Sequence, residues 1–346
     1  MEEELELGND DFQDLVEIKI DPGQSALRID KFLTDRLDRV SRNRIQQAIA
    51  VGAVMVNQKS IKSNYKIRPN DFISILIPRP PESSREIIPE NIPLDIVYED
   101  DDLLIVNKPP GLVVHPGVGN HRGTLVNALK YYLGANEEKV GLVHRIDKDT
   151  SGLLVVAKNE ISMSHLAKQF FYHTIERTYF ALCWGEPNPL KCTIIGNIGR
   201  HPRFRKQFTV FPDGDQGKEA ITHYEVIEPL YFVSLVKCNL ETGRTHQIRV
   251  HLKYLGHPLF NDERYGGDRI LKGTIFTKYK QFVNNVSDIL PRQALHAASL
   301  GFIHPTTGKK MYFEQELPPD FKNALDKWRN YVNYQKSKID NDLSSD

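Results

Sequence analysis

The spacing of apolar and polar positions divides the chain into a short amphipathic module and a longer stretch of mixed strands and helices. Ile29, Phe32, Leu33 and Leu37 recur at helical spacing. A second helix opens at Ser41 as N-cap, carries Ile45, Ala48 and Ile49, and ends at Gly52. Residues 54–56 and 72–77 read as strands. Two strand-like runs, 95–99 and 103–108, then flank an acidic turn, and a helix follows over 124–132. The apolar runs 141–143 and 153–157 predict two buried strands joined by a polar loop. A strand over 232–240 leads through a Thr242-Gly243 turn into a short helix, where Ile248, Leu252 and Leu255 form one buried stripe and Gly256 ends it.

Proline sets the clearest boundary. Pro78, Pro80, Pro81, Pro89 and Pro93 fall between Ile77 and Leu94, a density that opposes helix and internal strand and suits a stiff linker. The expected organisation is an acidic disordered tail over 1–24, a small module over 25–77, a linker over 78–93, a large domain over 94–334 and a frayed polar tail over 335–346. No apolar run approaches membrane-spanning length, and the amino terminus has neither signal-peptide nor transit-peptide character. Cys183, Cys192 and Cys238 contain no Cys-x-x-Cys pair, and the histidines lack metal spacing, so the expectation is a reduced, cytoplasmic protein without metal.

Charge changes the picture once it is divided. With 45 basic and 45 acidic residues the net charge is zero, which taken whole argues against a nucleic-acid binder. Residues 1–21, however, hold nine acids and one base, so this segment is at −8 and the remainder at +8. Between Arg28 and Arg68 ten bases face three acids, a local excess of +7. A basic face of that kind attracts phosphate backbones, although on charge alone a solvated helix pair is an equally good reading.

The segment HRIDKDTSG, residues 144–152, places Arg145, Asp147, Lys148, Asp149, Thr150 and Ser151 in a loop between buried strands, a scaffold suited to holding a carboxylate rigidly. Asp147 and Asp149 are two apart and point to one side of an extended loop; no third acid accompanies them as a metal site would require. Read without any family, a polar hairpin loop is the plainer account. The glycines at 117, 119 and 123 miss the dinucleotide fingerprint, which needs its third glycine at position 122. In TGRTHQIRVHL, residues 242–252, Arg249 lies beside Ile248 on the short helix. It suits a buried carboxylate, whose pKa it would lower, a structural ion pair or a phosphate contact.

Two resemblances join these features. The stretch RIDKFLTDRLDRVSRNRIQQAIAVGAVMVNQK, residues 28–59, resembles the small alpha-L RNA-binding domain named after ribosomal protein S-four, with Gln58 in place of a usual glycine. This implies RNA contacts at Arg28, Lys31, Arg36, Arg42 and Arg44. Five segments in order, HPGVGNHRGTLVNAL, HRIDKDTSGLLVVAK, ERTYFALCWG, LETGRTHQIRVHLKYLGHPL and LHAASLGFIHPTTGK, resemble the RluA/RluD family of RNA pseudouridine synthases over essentially the whole chain. A departure is Asn261-Asp262, where a Gly-Asp pair is common.

The family implies an α+β fold with a mixed, largely antiparallel sheet flanked by helices. It implies isomerisation of uridine in structured RNA, large-subunit ribosomal RNA foremost, by a monomer with no metal, nucleotide or other cofactor. It assigns Asp147 as the ionised catalytic carboxylate beside ribose C1′, Arg249 as its partner, Tyr179 as the aromatic that stacks on the base, and Arg145 as a group entering the space the base leaves. Arg200, Arg203, Arg205 and Lys206 then read as a second RNA-contacting loop. The alternatives are a catalytically idle RNA-binding or ribosome-assembly factor, a synthase acting on transfer RNA, and a nucleotide-dependent RNA-modifying enzyme.

Overall fold

The computed structural model describes residues 13–37, 40–78, 87–117, 120–134, 141–274 and 276–343. The small module comprises β1 (Gln13–Lys19), α1 (Ile29–Thr34), α2 (Arg42–Ala50), β2 (Val54–Val56), β3 (Lys59–Ser60) and β4 (Phe72–Pro78). Its sheet runs in the order β1-β4-β2-β3, and Ile29, Phe32, Leu33, Ile45 and Ile49 bury one helical face against it. Ser41 caps α2 by accepting the Arg44 amide.

The amino-terminal expectation is corrected by β1. Gln13–Lys19 pairs along its whole length with β4, because Val16, Ile18 and Ile20 alternate onto the module's core while Leu15, Glu17 and Lys19 face outward. The module therefore starts inside the stretch assigned to the acidic tail, whose residues 1–12 lie outside the described residues. The linker assignment is also revised. Residues 79–86 lie outside the described residues, but residues 87–93 are fastened down: Ile87 packs on the large core, Lys130 Nζ and Asn127 Nδ2 donate to the Ile87 and Ile88 carbonyls, and the Glu90 amide donates to Asn127.

The large domain follows as β5 (Ile96–Glu99), β6 (Leu103–Lys108), α3 (Leu125–Tyr132), β7 (Gly141–Leu142), β8 (Ser151–Ala157), α4 (Glu160–Phe171) and β9 (Glu176–Trp184). Then come β10 (Lys191–Ile195), β11 (Asn197–Arg200), β12 (Phe208–Phe211), β13 (Ile221–Leu230), β14 (Val233–Leu240) and α5 (Gln247–Tyr254). The last elements are α6 (Thr277–Ile289), β15 (Leu295–Ile303), β16 (Lys310–Glu314) and α7 (Pro319–Leu343). Here too the expectation is corrected at its end, since residues 335–343 continue α7 rather than forming a separate tail.

One large sheet runs in the order β10-β13-β14-β9-β15-β8-β6-β5, with β7 on β8 and β16 on β15. Its pairings are antiparallel except for the parallel contact of β15 with β8, so the fold is α+β with a mixed, largely antiparallel sheet flanked by helices. Strands β6 and β8 are buried on both faces, which explains their unbroken apolar runs. Leu104, Val106, Leu154 and Val156 meet α3 and α5 on one side, while Leu103, Ile105, Leu153 and Val155 meet α4 on the other. A second core under α6 and α7 gathers Trp184, Phe260, Phe321 and Trp328. The module docks through α2 and β4 on α4, where Lys168 Nζ donates to the Val51 carbonyl at 3.1 Å.

Candidate active site

The loop between β7 and β8 is held from several directions, and each constraint is local chemistry. Strands β7 and β8 pair with Gly141 opposite Ala157, bringing residues 143–150 back over the sheet. Gly152, at φ 113°, lets β15 approach so closely that a Cβ there would stand 2.1 Å from the Ala297 carbonyl oxygen. The Thr150 amide donates to the Asp147 carbonyl at 3.1 Å. Behind the loop lies Lys108, fully buried, whose Nζ donates to the carbonyls of Pro109, Leu112 and Lys148 at 2.8, 2.9 and 2.8 Å. Burial pushes its pKa down to about 7 against the pull of Asp149 and Asp147. Arg292 donates to the Asp149 carbonyl and to Ser151 Oγ, and its guanidinium is in turn gripped by Asp320 at the start of α7.

Asp147 emerges from this loop with its side chain 15% exposed. Arg249, on α5, reaches it with Nη1 2.9 Å from Oδ2. The same guanidinium binds Asp262 in a fork, Nε to Oδ2 at 2.7 Å and Nη2 to Oδ1 at 2.9 Å. Burial alone would raise the Asp147 carboxyl. The His246 and Arg249 side chains, the hydrogen bond from Arg249, and Arg145 outweigh it and hold the group well below the usual carboxylate range. Arg249 answers in kind: burial opposes its charge, and Asp262 and Asp147 more than restore it.

Asp147 opens onto a cleft of about 420 Å³ that it shares with Arg145, Arg177, Tyr179, Arg244 and His246, and whose outer wall includes Asp14 and Leu15 of β1. Asp147 and Asp14 thus share the cleft with three arginines, and the cationic side chains around Asp147 make a field suited to a polyanion. Tyr179 is a buried residue of β9, between Cys238 of β14 and Ala297 of β15, and burial raises its phenol pKa. Arg145 stands part-exposed at the same cleft. The fold therefore brings Asp147, Tyr179, Arg249 and Arg145 together. Asp149 does not join them at this cleft. It borders a second, smaller cavity of about 230 Å³ with Asp262, Arg264 and Arg292, which meets the first at Asp147 and His246.

The other expected RNA contacts lie at two surfaces. Arg200, Arg203, Arg205 and Lys206 are exposed on the hairpin of β11 and β12. On the module, Lys31, Arg36 and Arg42 are exposed and Arg44 is half-buried. Arg28 and Arg42 are partly occupied, because both bind the fully buried Asp30 carboxylate, at 2.8 and 3.0 Å. Leu255, expected in the buried stripe of α5, is instead 37% exposed, while Ile248 and Leu252 are buried. Among the described residues, Asp100, Asp102 and His304 are close enough together to hold a metal ion. Internal bonds already use that group, since His304 Nδ1 accepts the Thr306 and Thr307 amides and Nε2 meets Asp100 at 2.8 Å.

Sequence reasoning missed Asp262, Lys108, Arg292, His246 and Tyr265. The signal nearest to hand was the Asn261-Asp262 pair, visible as a departure in a turn rather than as half of an ion-pair fork.

Comparison with known proteins agrees with this arrangement. An RNA pseudouridylate synthase model matches residues 102–254 and an S4 domain model residues 27–73. The chain is 44% identical over 324 residues to an RNA pseudouridine synthase of Chlorobaculum parvum, covering 91% of this chain and 98% of that one. It is 42% identical over 303 residues to ribosomal large subunit pseudouridine synthase D of Zymomonas mobilis, covering 85% and 92%. Among solved structures, human RNA pseudouridylate synthase domain containing 4 matches with a TM-score of 0.53 at 25% identity, over 68% of this chain and 92% of that one. With this likeness extending across the S4 module and the domain that holds Asp147, the chain belongs to the RluA/RluD family of RNA pseudouridine synthases, which are isomerases.

Proposed function

We propose that this enzyme converts specific uridines of large-subunit ribosomal RNA to pseudouridine in the cytoplasm, as a monomer, with Asp147 acting at ribose C1′. The observation that carries the reading is the Asp147–Arg249 ion pair, 2.9 Å long, at a basic cleft shared with Tyr179. The ribosomal substrate is supported by relatives named ribosomal large subunit pseudouridine synthase D, from Zymomonas mobilis and Neisseria meningitidis.

The reaction breaks the N-glycosidic bond, turns the uracil while it stays bound, joins its C5 to C1′, and then releases the C5 proton while N1 takes one up, so that atoms balance. Cleavage builds positive character on the sugar, which a preorganised carboxylate stabilises. Attack on C1′ and removal of a sugar proton to give a glycal both begin from ionised Asp147, the form that Arg249 favours. A uridine inside folded RNA must first leave its stack at a cost of about a few kcal/mol, offset by stacking on Tyr179 and by phosphate contacts. Arg145 fills the vacated space, and the module and the β11–β12 hairpin hold the surrounding backbone. No redox cofactor enters this scheme, since the isomerisation is redox-neutral.

The test is to map pseudouridines in total RNA from cells with and without the gene. Loss of defined sites in large-subunit ribosomal RNA is expected. An unchanged map contradicts the reading, and losses confined to transfer RNA overturn the substrate.

A further inference from the structure

His246 holds a conformation that ordinary packing does not ask for. It precedes α5 with φ 56° and ψ 22°, in the left-handed region that side-chain-bearing residues seldom occupy. Strain of this kind persists where the surroundings over-determine it, and such positions concentrate at functional sites. The surroundings here are specific. His246 is buried, with the Phe208 and Tyr265 rings edge-on to it at centroid distances of 5.7 and 5.6 Å. Its Nδ1 lies 2.7 Å from Tyr265 Oη, and its Nε2 lies 4.0 Å from Asp147 Oδ2.

Both directions fit the Tyr265–His246 bond, and the one in which Tyr265 donates places the imidazole hydrogen toward Asp147. Tyr265 Oη accepts the Phe208 amide at 3.1 Å, so its own hydrogen is free to point at His246 Nδ1. An imidazole accepting at Nδ1 carries its hydrogen on Nε2, the atom that faces Asp147. The hydrogen-bonded ladder therefore runs from the Phe208 amide through Tyr265 to His246, whose Nε2 stands 4.0 Å from Asp147 Oδ2, an electrostatic contact and not a hydrogen bond. Phe208 opens β12, directly after the exposed basic loop of the hairpin, and the Arg200 guanidinium lies over its ring at 5.3 Å.

We propose that His246 is a positioning residue of the isomerisation: locked by Tyr265, it presents Nε2–H to Asp147 and ties that carboxylate to the basic hairpin. The proposal rests on Asp147 being the catalytic carboxylate. It differs from a packing role in what it predicts, because a misaimed carboxylate slows the bound reaction without weakening RNA binding.

The experiment is steady-state kinetics on a uridine-containing RNA substrate with the full-length enzyme and three variants. Asn tolerates the left-handed backbone, yet its amide is too short to bridge Tyr265 and Asp147, so His246→Asn removes the contact and keeps the turn. It should lower kcat about 10- to 100-fold with KM within about threefold of wild type. Tyr265→Phe should lose part of that, and the double variant should be no more than about twofold slower than His246→Asn alone, the non-additivity of one chain. If His246→Asn does not fold, His246→Gly takes the same backbone and is read by the same criteria. A kcat within about threefold of wild type, a loss in KM alone, or losses that multiply in the double variant would overturn the proposal. Asp147→Asn run alongside separates the two claims: an inactive Asp147→Asn with a fully active His246→Asn refutes only the role of His246, whereas activity in both refutes the catalytic aspartate.

Discussion

Asp262 grips Arg249 through two hydrogen bonds of 2.7 and 2.9 Å, and this fork turns the remaining Nη1 toward Asp147. Asp262→Asn keeps the volume of the side chain and removes its charge. Arg249 then swings more freely, and kcat should fall about tenfold or more while RNA affinity holds. Stability should drop by about 1–3 kcal/mol from the weakened buried bonds. Single-turnover rates and thermal melts check both, and an unchanged rate would show that Arg249 needs no such brace.

The acid side of the pH profile should report the same pair. Asp147 must be ionised, and burial works against that form while His246, Arg249 and Arg145 favour it. In the wild type the carboxylate stays charged down to at least the ordinary carboxyl value of about 4. In Arg249→Gln burial is opposed by less, so the pKa climbs. The residual activity should then decline at higher pH than in the wild type as acid is added. Coincident acid limbs would contradict the assigned coupling.

Lys108 is expected to matter without touching RNA. Its Nζ lies within bonding distance of three carbonyls, one of them at Lys148 within the Asp147 loop. Lys108→Met leaves those carbonyls buried without their donor, which should cost about 3 kcal/mol or more. Chemical denaturation measures the loss, and a variant as stable as wild type would refute the anchoring role.

In the module, Asp30 should be the main acid-sensitive tie. Hydrogen bonds from Arg28 come first in lowering its pKa, burial opposes them, and Gln46 and Arg42 add to the lowering. A depressed folded pKa contributes stability that is complete above the unfolded value of about 3.9 and is lost as pH falls below it. Wild-type module stability should therefore decline across that acid range, and Asp30→Asn should lack this component. At neutral pH Asp30→Asn should be less stable by about 1–3 kcal/mol, because the bonds from its partners weaken while Arg28 and Arg42, each about half exposed, stay in water. Urea unfolding at a series of pH values decides it; equal slopes for the two proteins would count against the tie.

What was legible in the sequence was whatever local periodicity or a contiguous motif encodes. The helix pair, the doubly buried β6 and β8, and the Asp147 loop are all of this kind. Strand β1 escaped notice because Val16, Ile18 and Ile20 alternate inside an acidic run, where the charge total masked the period of two. Arg292 escaped because its partners Asp320 and Asp149 lie 28 and 143 residues away, and Asp262, only 13 residues from Arg249, escaped because it sits in a turn whose side-chain direction no local period encodes. Lys108 at a strand end has the sequence appearance of a surface charge; only the fold shows three carbonyls converging on it. The opposed charges of residues 1–21 and of the remainder, by contrast, were fully visible; most of the basic excess lies in the module, and Arg145, Arg177 and Arg244 add basic groups at the cleft.

The most direct test of the account is pseudouridine formation by purified Asp147→Asn against wild type, on an RNA fragment carrying a site lost in cells without the gene. The two proteins should bind the RNA with equal affinity, since the carboxamide keeps the shape of the loop. Wild type should form pseudouridine and Asp147→Asn none above background. Pseudouridine from Asp147→Asn at the wild-type rate would contradict the catalytic assignment at its centre.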